Sequence, residues 1–165
     1  MLKLAGSLCV ASGGVLAWYV QRAERRRERD TLSDFQRAFR RMGEEVRVAR
    51  TPLPALLKAL AGDCGAPAAA FFEAVSRAAS KGEDLPRVWR EQAVALPLRE
   101  GDKSAVSALV QELQGDEEKV CKAISHVVHT LADSAGEAER KRPEEEKRAA
   151  ALWFSAAALL VILLI

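Results

Sequence analysis

Both ends of this 165-residue chain are oily, and each is fenced by basic residues on its inner side. No other feature restricts the fold as much. Residues 4–20 are apolar apart from Ser7 and Ser12. Residues 149–165 carry no charge and finish in Leu-Leu-Val-Ile-Leu-Leu-Ile. An apolar stretch of about 17–25 residues crosses the hydrocarbon of a bilayer. Both stretches sit at the lower end of that range, and the first reaches back to Met1 if Lys3 snorkels. Trp18 and Tyr19 close the first stretch and Trp153 stands near the start of the second, where amphipathic rings favour the headgroup region.

The flanking charges set the orientation. Arg22, Arg25, Arg26, Arg27 and Arg29 follow the first stretch; Arg140, Lys141, Arg142, Lys147 and Arg148 precede the second. Basic loops stay in the cytoplasm. The sequence thus predicts a transmembrane helix over 1–20, a cytoplasmic domain over 21–148 and a transmembrane helix over 149–165. A cleaved signal peptide is the competing reading of the first end. Against it stand the length of the apolar run, its ending in Trp18-Tyr19-Val20 without a small-x-small cleavage site, and the dense positive charge after it. A buried core helix is the competing reading of the tail, but core helices seldom stay apolar on every face.

The middle, about 120–125 residues, is the size of one ordinary domain. The net charge is only +2, with the arginine surplus beside the first span. A nucleic-acid surface needs a basic face with aromatic platforms, and aromatics are 5% of the chain. No nucleic-acid partner is expected. Cys9, Cys64 and Cys121 have no paired spacing, which fits a reducing compartment without disulfides.

Along the middle, apolar residues recur at helical steps. Leu32, Phe35, Phe39, Met42 and Val46 make one stripe on a helix over 30–50 that continues the first span. Thr51 reads as an N-cap, with Pro52 in the first turn of a second helix bearing Leu53, Leu56, Leu57 and Leu60. Pro67 opens a third, with Ala68, Phe71, Phe72, Val75 and Ala79 inward, and Lys81-Gly82 stops it. Asp84 caps a fourth, with Leu85, Val88, Trp89 and Leu96 inward and Pro97 as its stop. Asp102 reads as the cap of a fifth, with Val106, Leu109, Val110 and Leu113 inside. Asp116 caps a long sixth through Val120, Ile124, Val127, Leu131, Ala135 and Ala138, and Pro143 is expected to bend or break it. No segment alternates with period two. The expected fold is all-α: a bundle of about six helices between two terminal spans.

Candidates for chemistry are few. His126 and His129 can share a helix face, but no third metal ligand has a recognisable spacing. Cys121 and His126, five apart on a helix, diverge too far for a nucleophile–base pair. No Gly-rich phosphate loop is present, since Gly13-Gly14 lies in the first span and no G-K-[ST] follows a glycine. Glu144-Glu145-Glu146 suits i,i+4 pairing with neighbouring lysine and arginine. No catalytic residue, metal or cofactor is expected.

The order of these pieces resembles the stage III sporulation protein AB family of endospore-forming bacteria. The resemblance is carried by Met1-Leu2-Lys3-Leu4, by Thr51-Pro52-Leu53-Pro54 with Ala55-Leu56, and by Leu85-Pro86 with Trp89-Arg90-Glu91. Asp116 with Lys122 and Ile124, and residues 159–165, complete it. The family is similar to the cytoplasmic domains of the F-type platform protein of type II secretion and type IV pilus machines. The resemblance implies a non-enzymatic part of a channel complex joining mother cell and forespore, set in the mother-cell (outer forespore) membrane. The implied partners are the secretion-type ATPase of that complex and its other membrane and ring-forming members. The rival expectation is a stand-alone membrane adaptor that binds a soluble signalling protein. For the platform reading, the basic face of the first cytoplasmic helix, Arg37, Arg40 and Arg41, is the expected ATPase contact surface.

Overall fold

The computed structural model is helical throughout residues 2–48, 53–63, 66–81, 85–94, 100–112 and 117–164. Side chains are described for residues 19–48, 51–113 and 115–140, the described residues below. The helices are α1 (Leu2–Val48), α2 (Leu53–Asp63), α3 (Ala66–Lys81), α4 (Leu85–Val94), α5 (Glu100–Glu112) and α6 (Glu117–Leu164). Each packs on the next in sequence, and α6 packs back on α1, so the six form a closed ring.

Two helices dominate. The 47-residue α1 and the 48-residue α6 run antiparallel. Gly43 meets Ile124 at one end of their contact. At the other, Glu28 and Glu137 both act on Asp102. Both long helices therefore leave the bundle at the same end. The expected stripe on α1 is the bundle's spine: Leu32, Phe35, Phe39 and Met42 are buried and Val46 packs against them. Phe35 holds Phe71 and Phe72 of α3 at ring-centroid distances of 5.2 and 5.3 Å. Phe71 meets Trp89 of α4 edge-on at 5.0 Å. The Trp89 indole N–H in turn donates to the Val106 carbonyl of α5 at 2.7 Å, which satisfies a polar atom that burial would otherwise strand.

The connections are set by local chemistry. Gly82 takes φ 69°, the left-handed region in which a Cβ is strained, and its N–H closes the end of α3 on Ala78. The Asp84 carboxylate accepts from the Arg87 N–H and starts α4. The start of α3 is capped from another helix: the Gly65 N–H donates to Asp34 of α1 at 2.7 Å. That interhelical carboxylate also sits where the partial positive charge of the α3 N-terminus favours it.

Three details differ from the sequence reading. Thr51 does not cap α2; Pro52 occupies that position, and the Thr51 hydroxyl donates to Glu45 instead. α4 ends at Val94, before Pro97, because the chain must turn to bury both Leu96 and Leu98. α5 begins at Glu100 with Arg99 at its cap position, so Asp102 lies within the first turn. At position 143, where a bend or a break is expected, α6 does not break. The terminal segments are thus continuations of α1 and α6, not separate helices. Among the described residues no helix is long and apolar enough to cross a membrane. The expected spans over 1–20 and 149–165 lie outside the described residues, but for the exposed Tyr19 and Val20.

Phe35→Ala should expose how far the spine carries the bundle. Deleting a fully buried Phe costs about 3–5 kcal/mol, a large part of the stability of a domain this size. The expected result is a sharp drop in the urea midpoint of the variant; a midpoint within error of the parent would disprove the assignment.

Candidate interaction surface

The three arginines expected to form a contact surface have unlike surroundings. Arg37 donates to Asp34 at 2.8 Å, one turn back on α1. Arg41 pairs with Asp63 at the end of α2. Arg40 is exposed and has no ion-pair partner among the described residues. Among the described residues the basic face is therefore two paired arginines and one, Arg40, without an ion-pair partner.

Arg40 also stands on the rim of a groove of about 360 Å³ between α1 and α6. Phe39, Gly43, Cys121, Ile124, Val128 and Ala132 line it with apolar surface. Arg40, Glu44 and Arg47 form the α1 rim, Ser125 and His129 the α6 rim. Arg47, like Arg40, has no ion-pair partner among the described residues. His129 is bonded to Asp133 at 2.9 Å, and Lys122 to Glu118 at 2.7 Å, so both side chains are engaged along their own helix. Gly43 faces Ile124 across this groove, and a Cβ at that position would lie 3.4 Å from it, in ordinary contact. No local pattern marks this groove, since its walls are roughly eighty residues apart and only pairing brings them together.

The residues weighed for chemistry stay apart. Cys64 and Cys121 are free thiols. Burial raises the Cys64 thiol pKa, and the Asp34 charge adds to that against the pull of Arg37. Among the described residues no three His, Cys, Asp or Glu side chains are placed to hold a metal.

A polar cluster lies at the end of the bundle where α1 and α6 exit. Arg99 pairs with Glu28 at 3.1 Å, tying the start of α5 to α1. The buried Asp102 accepts from the Ser134 hydroxyl at 2.6 Å, tying α5 to α6. Burial raises the Asp102 pKa; the Ser134 bond and Arg99 oppose it, while Glu28 and Glu137 reinforce it. The cluster thus clamps both long helices to α5 just before they leave the domain.

The fold and surface define a class: a helical hairpin of two long helices, interrupted by a four-helix cassette, with a grooved face and no assembled catalytic site among the described residues. The family model of stage III sporulation protein AB matches residues 3–165. This chain belongs to that family. A solved structure described as Stage III sporulation protein AB (SpoIIIAB) has the same fold, with a TM-score of 0.65 and 19% identity over 72% of this chain and 98% of that one. No curated protein matches the chain. Membership supports a role connected with sporulation.

Asp102→Asn tests the cluster. A carboxyl whose pKa is raised by folding binds its proton more tightly in the native state than in the unfolded chain. Its contribution is then full below the ordinary carboxylate range and is lost as pH rises through the raised value. Asn keeps an oxygen for Ser134 and removes the charge. The variant is expected to melt above the parent at neutral pH and to gain less than the parent on acidification. Identical melting curves across pH 4–8 would contradict the assignment.

Proposed function

We propose that this chain is a non-enzymatic platform of a secretion-like sporulation channel between mother cell and forespore. It couples a cytoplasmic ATPase to the transenvelope assembly. In this reading residues 1–20 and 149–165 are membrane anchors in the mother-cell (outer forespore) membrane, and 21–148 face the mother-cell cytoplasm. The partners are the secretion-type ATPase and the other stage III membrane and ring proteins.

The observation that carries the proposal is the continuity of α1 and α6 from the apolar ends into the domain core. The core begins at Leu32 on α1 and ends near Leu131 on α6. About thirty residues of each helix extend beyond it, roughly 45 Å at 1.5 Å per residue. That exceeds the roughly 30 Å of bilayer hydrocarbon. A load applied to the bundle passes into both extensions along continuous helix, with Pro143 the one proline on the α6 path. Arg37, Arg40 and Arg41 are the proposed ATPase contact, with Arg40 the one that needs no local ion pair broken.

Two measurements test this. A flexible Gly-Ser segment inserted after Arg29 is expected to abolish spore formation while the protein still fractionates with membranes; normal sporulation would remove the coupling role. Arg40→Glu is expected to weaken ATPase co-purification several-fold at low salt and less at high salt, as screened charge contacts do. Salt-independent, unchanged recovery would remove Arg40 from the contact.

A further inference from the structure

We propose that the groove between α1 and α6 receives a helix of a partner protein. That helix lays small apolar side chains between the two walls and carries carboxylates about two turns apart, matching Arg40 and Arg47. The inference deepens the platform reading and rests on it for the partner's identity, but the chemistry comes from the groove.

Shape is the first argument. The α6 wall runs from Cys121 to Ala132, about 16 Å or three helical turns. A channel that is long, open and walled by two helices fits a third helix better than a compact metabolite. Its apolar strip is bordered by charge, the arrangement that accepts an amphipathic helix.

Charge is the second. Arg40 and Arg47 are seven residues apart on α1, so they project from the same side of the helix about 10 Å apart. Neither has an ion partner among the described residues, whereas Arg37 and Arg41 beside them do. Glu44 lies between them on the same rim. The complementary edge is therefore acidic, then polar or basic, then acidic.

The third argument is against a second copy of this chain. A two-fold contact through this face sets each patch against itself. It would bring Arg40 and Arg47 of one copy toward those of the other. The exposed large hydrophobic residues among those described, Tyr19, Val20, Val48 and Val94, are scattered and offer no stripe to insert.

The test uses the full chain in amphipol and a designed helical peptide of roughly four turns. The peptide has an Ala/Leu face, glutamates spaced to meet Arg40 and Arg47, and a photo-crosslinker on its apolar face. A control peptide carries lysines in place of the glutamates. The acidic peptide is expected to crosslink at Gly43, Ser125 or Val128 and to bind more tightly at low salt. Arg40→Glu with Arg47→Glu should weaken it roughly tenfold, the scale of two partly exposed ion pairs reversed. Ser125→Trp, which fills the groove without changing charge, should abolish crosslinking while helix content stays constant. Equal binding of the two peptides, or crosslinks outside the groove, would overturn the proposal. So would crosslinks from the groove to a second copy in the absence of peptide. The assay contains no ATPase, so its failure leaves the platform reading standing, and failure of the Gly-Ser insertion test leaves the groove standing.

Discussion

Everything in this molecule depends on one strip of α1. Leu32, Phe35, Phe39 and Met42 lie within three turns and are all buried. On one side the strip meets α2 and α3, on the other α6. Phe35 is the centre, with Phe39, Phe71 and Phe72 all in ring contact. A buried phenylalanine contributes about 1.5–3 kcal/mol through area alone, and aromatic pairs add about 0.5–1.5 kcal/mol each. The strip thus couples the cassette of α2–α5 to the hairpin of α1 and α6. Without it the cassette has no floor, and the long helices are held together only where they touch each other.

Polar contacts finish what the aromatic cluster begins. Asp34 caps α3 from α1, Trp89 joins α4 to α5, and Asp102 joins α5 to α6. Each fixes one rotation that apolar packing leaves loose, because a hydrogen bond is directional and burial is not. Their placement is uneven. The Asp102–Ser134 and Arg99–Glu28 contacts gather where the long helices leave the domain, so the exit angle of the hairpin is held by polar geometry.

The apolar architecture was legible in the sequence. The helical steps of Leu32, Phe35, Phe39 and Met42, the Lys81-Gly82 stop and the Asp84 cap all appear as read. Those signals are local, and burial periodicity survives folding because it is what folding satisfies. Asp102 shows where that logic runs out. An aspartate before an apolar helical pattern looks like a cap, yet here Arg99 holds that position and the carboxyl turns inward to a serine thirty-two residues away. Thr51 misleads in the same way, as its hydroxyl donates to Glu45 and caps nothing. Arg37, Arg40 and Arg41 look alike in sequence; Asp34 meets Arg37 along α1 itself, whereas Asp63 reaches Arg41 only once α1 and α2 have packed. The spacing of Asp34 and Arg37 announces the first pairing; no local rule announces the second.

The ring closes on partners that lie far apart along the chain. Gly43 and Ile124, which touch in the finished bundle, are separated by roughly eighty residues, whereas α2 and α3 adjoin through a two-residue turn. Bringing distant segments together carries a loop-closure cost that near neighbours avoid. On a ribosome, α6 emerges after the whole cassette has been made. Until then the α1 strip has only its α2–α3 side covered, and the face that α6 will occupy stays wet. The nascent chain therefore passes through a stage in which half of its most greasy surface waits for a lid that has not been translated.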